Sequence, residues 1–207
     1  MGVARDLGVA GGPAVRVIAG LLAAGLLLAL PAAASEIGDD GLHKEDWFSL
    51  TFKDVAEDLE SARSQGKRLA IIFEQRGCIY CAKVHEEVFS DPQVRDYIKQ
   101  HYEVVQYDLH GAAEVTDLDG EVLTEKQAAR KWGVIFTPTV IFLPEEANAG
   151  ESVGQAAVSV MPGAFGRHTS LHMYEWVAEK GYEGDEHFQN YHARRLREDG
   201  IIGPNAE

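Results

Sequence analysis

The sequence predicts an α/β sandwich built around a mixed central sheet. Leu69 to Phe73 is a short, fully apolar run, typical of a buried central strand. Strand-like segments alternate with segments of helical apolar spacing along the chain. A last pair of strand-like segments, Thr139 to Leu143 and Gln155 to Val160, precedes a helix. Elements in that order pack as helices on the faces of a sheet.

Each element has its own signal. Glu36 to Asp46 is polar, contains Gly38 and Gly41, and reads as a flexible lead-in. Phe52, Val55, Ala56, Leu59 and Ala62 recur on one helical face, and Gly66 is a stop signal. After the first strand, Glu74 to Gly77 reads as a loop. Cys78 to Val88 reads as a helix with Cys81, Val84, His85 and Val88 on one face. Ser90-Asp91-Pro92 is a capping residue followed by proline at the first helical position. It opens a helix to Gln100 that buries Val94, Tyr97 and Ile98.

Tyr102 to Leu109 is the next strand, and Asp119-Gly120 between Val115 and Val122 reads as a hairpin turn. Thr124 and Gln127 fit a capping box for a helix to Trp132, which Gly133 ends. Glu145 to Gly154 is a turn-rich loop between the last two strands, and Pro162-Gly163 ends the second of them. Leu171 to Lys180 is a helix with Leu171, Tyr174 and Val177 inward. From Gly181 the composition shifts. Glu183 to Glu186 is a charged linker, and Phe188, Tyr191, Ala193 and Leu196 share one face of a terminal helix.

Composition narrows the function classes. Apolar residues at 45% and charged residues at 25% mark a globular chain. Nineteen Lys and Arg against 33 Asp and Glu leave a formal charge of −14. An anionic surface argues against a nucleic-acid partner, because phosphate binding needs a basic footprint. It suits steering toward a basic partner and equally suits solubility alone.

The N-terminus has the pattern of a signal peptide. Arg5 and Arg16 precede the apolar run Val17 to Leu30, and Pro31 and Ala32-Ala33-Ala34-Ser35 follow it. The run is short of the roughly 20 residues a spanning helix needs. No paired arginine is present, which favours the general secretory route. The expected organisation is a cleaved signal peptide over 1–34, a flexible lead-in over 35–50, a folded domain over 51–181, and a tail with a short helix over 182–207. Export matters to the cysteines, because an oxidising compartment favours disulfides.

The informative motif is Cys78-Ile79-Tyr80-Cys81, which follows a buried strand and opens a helix. Unpaired backbone N–H groups at a helix start stabilise a thiolate on Cys78, and the thiolate is the nucleophile of disulfide exchange. Cys81, one turn along, is placed to resolve the mixed disulfide. A structural disulfide is the weaker reading, because so small a loop constrains the unfolded chain little. A zinc half-site needs two more ligands, and His85 alone does not supply them. Redox chemistry fits this context best.

Strand, CxxC, helix and then Thr137-Pro138-Thr139 ahead of a strand together resemble a thioredoxin-fold protein. The segment from Gly77 to Val94 (GCIYCAKVHEEVFSDPQV), with Lys131 to Thr139 (KWGVIFTPT), is similar to the SoxW-type periplasmic thioredoxins. Those are encoded with the sulfur-oxidation (Sox) system of thiosulfate-oxidising bacteria. The resemblance spans Leu50 to Lys180 and implies a thioredoxin-like fold, with a mixed central sheet flanked by helices.

It further implies that Cys78 is the exposed attacking cysteine and Cys81 the buried resolving one, joined as a Cys78–Cys81 disulfide when oxidised. Pro138 matches the family's cis-proline, although an X–Pro bond without that match is expected trans, since only about 5–6% are cis. Thr137 before it would pair with the substrate as an added strand, and Ile79 and Tyr80 complete the expected substrate contacts. The implied redox centre is the dithiol itself, with no metal or organic cofactor. The implied partners are a protein disulfide substrate, such as a Sox carrier protein, and a membrane electron donor of the CcdA or SoxV type.

The sequence also departs from the common thioredoxin pattern. Gly77 stands where Trp is usual, Ile79-Tyr80 where Gly-Pro is usual, and Ile72 where the buried aspartate is usual. The last change removes the ordinary proton-transfer group. Glu74, four residues before Cys78, is a candidate replacement as general base, against the reading of an exposed loop acid, which its position favours. His85 reads as a core histidine that finds a partner, with tuning of the thiol as the alternative. His168 and His172 have a metal-ligand spacing but no evident third ligand. Asp117 to Glu121 resembles a calcium loop less than a hairpin. The insertion from His110 to Val122 has the character of a partner-contacting loop.

The expected function is that of an exported, periplasmic thiol–disulfide oxidoreductase that reduces protein disulfides. The alternatives are a Dsb-type dithiol oxidase or isomerase, and a non-catalytic binding module on the same fold.

Overall fold

The computed structural model describes residues 1–3 and 36–203. Residues 4–35, which hold all but the first three residues of the expected signal peptide and its cleavage after Ala34, lie outside the described residues, as do 204–207. The fold is built by 36–203. Its elements are β1 (Glu36–Ile37), β2 (His43–Lys44), α1 (Val55–Ser64), β3 (Arg68–Glu74), α2 (Ile79–Val84), α3 (Pro92–His101) and β4 (Tyr102–Asp108). Then follow β5 (Glu114–Thr116), β6 (Val122–Thr124), α4 (Glu125–Lys131), β7 (Thr139–Phe142), α5 (Val153–Ala156), β8 (Ser159–Pro162), α6 (Arg167–Ala178) and α7 (Phe188–Glu198).

The central sheet has four strands in the order β4-β3-β7-β8. β3 and β4 are parallel, with Ile72 opposite Gln106 and Glu74 opposite Asp108. β7 runs antiparallel to both β3 and β8. The sheet is therefore mixed and covered on both faces, as the apolar strands require. Alternation along β3 divides the core. Ala70 and Ile72 face Val84, Val88, Ile98, Tyr174 and Val177 on the side of α2, α3, α6 and α7. Leu69, Ile71 and Phe73 face Val55, Leu59, Ala128 and Val153 on the side of α1, α4 and α5.

Local signals set most element ends. Asp54 caps α1 by accepting from the Ala56 and Glu57 N–H groups, and Asp91 caps α3 in the same way with Pro92 at its start. Thr124 and Gln127 form the expected capping box of α4. Gly120 takes φ +84° in the turn between β5 and β6, a conformation that favours glycine.

Four expectations change. The lead-in is folded: β1 pairs with β2, Leu42 and Phe48 are buried, and the Ser49 N–H donates to the Val104 carbonyl at 2.8 Å. Two buried apolar side chains and a backbone bond to β4 hold a segment that its glycines suggested was free. Phe52 is not on the buried face of α1 but 96% exposed, because the Asp54 cap starts the helix after it.

The strand expected over Gln155–Val160 begins as α5, where Ser152 and Gln155 form a capping box and the strand starts only at Ser159. The long helix expected from Cys78 to Val88 is α2 followed by a π-helical turn, His85–Phe89. The terminal helix forms as expected: Tyr191 of α7 is buried against α6, and Arg195 pairs with Glu175 at 2.8 Å.

Asp117 sits in the expected hairpin as a structural tie. Its buried carboxylate accepts from Trp132 Nε1–H at 2.9 Å and from the N–H of Val153 at 2.9 Å, and it pairs with Lys131 at 2.8 Å. It ties the β5–β6 hairpin to α4 and α5.

Candidate active site

Cys78 is the N-cap of α2, with extended backbone, and lies just past the C-terminal end of β3. It is bonded to Cys81, with Cα atoms 5.2 Å apart. Cys78 retains 7% exposure and Cys81 none, so an incoming sulfur meets Cys78. The Cys81 N–H donates to Cys78 Sγ at 3.0 Å, and the Thr137 hydroxyl donates to the same sulfur at 3.3 Å. Both donors favour negative charge on that sulfur in the reduced state, as hydrogen bonds to a charged form do.

The Thr137–Pro138 peptide bond is cis, contrary to the ordinary expectation for an X–Pro bond. The Pro138 carbonyl accepts from the Gly163 N–H at 2.7 Å, which ties the loop to the end of β8. Ile79, Tyr80, Ile135 and Phe136 are exposed beside these residues, and Phe165 follows Gly163 with its ring partly exposed. Large apolar groups left in water around a reactive sulfur form a surface suited to a peptide.

Glu74 differs most from its expectation. It ends β3 rather than starting a loop, and it is 0% exposed. It shares a strand face with Ile72, two residues further along, and so points under α2. Its two oxygens accept from His85 Nε2–H at 2.8 Å and from Gln106 Nε2–H at 2.7 Å. His85 is buried as expected of a core histidine. Its other nitrogen lies 2.7 Å from Glu45 Oε1. Burial alone would depress the His85 pKa, but the hydrogen bonds and charges of Glu45 and Glu74 outweigh it and raise the value to about 9. His85 is therefore an imidazolium at neutral pH, held at both nitrogens.

Glu45 and Gln106 were not legible as site residues. The one available signal is that Gln106 and Glu74 interrupt otherwise apolar strands. Elsewhere, His172 bonds His192 and Asp199 at 2.7 and 3.0 Å, tying α6 to α7. Among the described residues, no group of His, Cys, Asp and Glu side chains is arranged to hold a metal. The 110–122 insertion forms β5 and the turn toward β6 and packs through Val115 into the core.

Residues 55–159 match the family model described as a thioredoxin-like domain. Among curated proteins, no sequence matches the chain. Of solved structures, a thioredoxin-fold protein from Helicobacter pylori is similar at 17% identity and TM-score 0.50, covering 64% of this chain and 81% of its own. A thioredoxin from Thermus thermophilus is similar at 25% identity and TM-score 0.49, covering 65% and 91%. A putative disulphide-isomerase from Bacteroides thetaiotaomicron is similar at 22% identity and TM-score 0.46, covering 70% and 99%. The Helicobacter likeness bears on the fold alone.

Proposed function

This chain belongs to the thioredoxin-like domain family and has a CxxC disulfide at the matching helix start, which makes it a thiol–disulfide oxidoreductase, and we propose that it reduces protein disulfides in the periplasm. The observation behind the exchange chemistry is Cys78 Sγ itself. It is the more exposed sulfur of the pair, accepts two hydrogen bonds, and sits beside an apolar surface.

In this reading the Cys78 thiolate attacks a substrate disulfide and a mixed disulfide forms. Cys81 displaces the substrate thiol, and the pair is left oxidised. Thr137 and Pro138 present the backbone edge on which the substrate lies as an added strand, and Ile79 and Tyr80 contact it. The dithiol is the redox centre, and the reading invokes no cofactor.

The N-terminal pattern of Arg5, Arg16, Val17 to Leu30 and Ala32-Ala33-Ala34 supports export by a signal peptide. The segments Gly77 to Val94 and Lys131 to Thr139 support a SoxW-type role, keeping the thiols of a sulfur-oxidation carrier reduced. A periplasmic reductant needs electrons from across the membrane, because the periplasm has no glutathione buffer. A donor of the CcdA or SoxV type meets that need.

The reduction potential of the Cys78–Cys81 pair tests the direction. A value near thioredoxin's, about −270 mV, is expected. A value near DsbA's, about −120 mV, would make the protein an oxidant and overturn the reductase reading. Cys78→Ser should abolish insulin reduction, and Cys81→Ser should trap the substrate as a mixed disulfide.

A further inference from the structure

A buried array of charges lies one helical turn behind the disulfide. Cys81 and His85 are four residues apart on one face of the helix, a spacing that brings Cβ atoms to about 5–6 Å. His85 bridges Glu74 and Glu45 at 2.8 and 2.7 Å, and its ring and the Glu74 side chain are fully buried. Two carboxylates and one imidazolium leave the array with one surplus negative charge. Gln106 is neutral, and Phe48 and Phe89 meet the imidazole edge-on. The His43 ring stacks on the imidazole at 5.1 Å. Lys44 reaches Gln106 at 2.7 Å but is itself paired with Asp40 at 2.6 Å.

A surplus charge in a buried site is costly, and taking up one proton removes it. The ordinary acid beneath the resolving cysteine is absent, since Ile72 occupies its place. Buried in apolar surroundings, the Cys81 thiol gives up its proton reluctantly, so resolution needs a nearby acceptor.

We propose that the Glu45–His85–Glu74 array is the proton acceptor for Cys81 in the resolving step, and that Glu45, supplied by the segment ahead of the matched domain, is a positioning residue for that exchange. The proposal rests on the reading of Cys78 and Cys81 as an exchanging pair. In the mixed disulfide, Cys78 Sγ is bonded to the substrate sulfur and Cys81 is a thiol. The Cys81 proton passes to the array, which becomes neutral. The Cys81 sulfur electron pair forms the bond to Cys78, and the Cys78–substrate bond breaks. The substrate leaves as a thiolate and takes a proton from water. The cysteine pair loses the two electrons that the substrate gains. The array then gives the proton up at its Glu45 end and regains the charge state it has beside the disulfide, and Cys81 takes up a proton by the same route when the pair is reduced again.

The outer end of the array lines a cavity of about 690 Å³, whose walls include Asp40, Lys44, Glu45 and Gln106. Glu45 thus links the buried acceptor to the surface, and the lead-in hairpin becomes part of the redox machinery rather than a tether.

The test uses the reduced full-length protein and dithiobis-nitrobenzoate, an aromatic disulfide that releases a coloured thiolate at each exchange. The first release reports attack by Cys78 and the second reports resolution by Cys81. Glu74→Gln should slow the second release by about 10²-fold at neutral pH, the scale of lost general-base catalysis. Glu45→Gln, which leaves the array neutral from the start, should slow it by about tenfold. Both should shift its pH profile upward and leave the first release unchanged. Glu45→Asp, which keeps the charge, should restore the wild-type profile. If Glu74→Gln does not fold, Glu45, whose side chain keeps 16% exposure, decides the matter. An unchanged second release and pH profile in folded Glu45→Gln would overturn the proposal. Absence of the first release in the unaltered protein would instead remove the Cys78 reading beneath it.

Discussion

Glu45 and His85 stand 40 residues apart in the chain and meet at 2.7 Å. Glu45 belongs to a segment that lies ahead of the residues 55–159 matched to the thioredoxin-like domain. His85 follows the redox motif by one turn. The contact makes the N-terminal hairpin a structural partner of the helix that carries the disulfide.

The contact has a pH signature. His85 is raised from its ordinary value to about 9 by Glu45 and Glu74, against the opposing effect of burial. A histidine raised on folding contributes stability that is fully present below its unfolded pKa, about 6.5, and is lost as pH rises through the folded value. Stability to urea should therefore fall between pH 6.5 and 9 in the oxidised protein. His85→Gln should lower stability at pH 6 and flatten that decline. Equal declines in the two proteins would contradict the assignment.

Asp117 should be a structural residue. Its removal leaves the Trp132 indole N–H and the Val153 N–H, both now bonded at 2.9 Å, without a buried acceptor. Asp117→Ala should cost roughly 2–4 kcal/mol of unfolding free energy in denaturant titration. Added calcium should leave the unfolding midpoint of the unaltered protein where it is. A cost below about 1 kcal/mol would mean that water replaces the carboxylate.

Thr137 should tune the attacking sulfur. Its hydroxyl donates to Cys78 Sγ at 3.3 Å, and a donor to the charged form lowers a thiol pKa. Thr137→Val keeps the shape and removes the donor. The pH profile of Cys78 alkylation by iodoacetamide should move up by about one unit, equivalent to about 1.4 kcal/mol. A superimposable profile would show that the Cys81 N–H alone suffices.

The tail should be integral to stability. Tyr191 of α7 is buried, donates its hydroxyl to Glu179 at 3.0 Å, and belongs to the core cluster of α6. Tyr191→Ala should cost about 2–4 kcal/mol, the range for truncating a large buried side chain. Amide exchange over Phe188–Glu198 should speed up more than exchange in β3. Equal protection in both proteins would place α7 outside the cooperative unit.

The sequence by itself determined the inner strands, the starts of α3 and α4 and the redox pair, because each rests on local physics. An unbroken apolar run such as Leu69–Phe73 is stable only between two covered faces. Asp91 and Thr124 satisfy N–H groups two or three residues away, and Cys78 and Cys81 are one helical turn apart. What tertiary structure alone decided depends on which distant groups are brought together. Glu74 looked like an exposed acid because no nearby residue offers it a partner; His85 and Gln106, 11 and 32 residues away, make its burial tolerable. The lead-in looked free because Gly38 and Gly41 are permissive, yet Leu42 and Phe48 anchor it to the core. The cis bond before Pro138 has no signal in Thr137 or Pro138 themselves. Burial of charge and of loose chain is settled by partners remote in sequence, and only the packed fold supplies them.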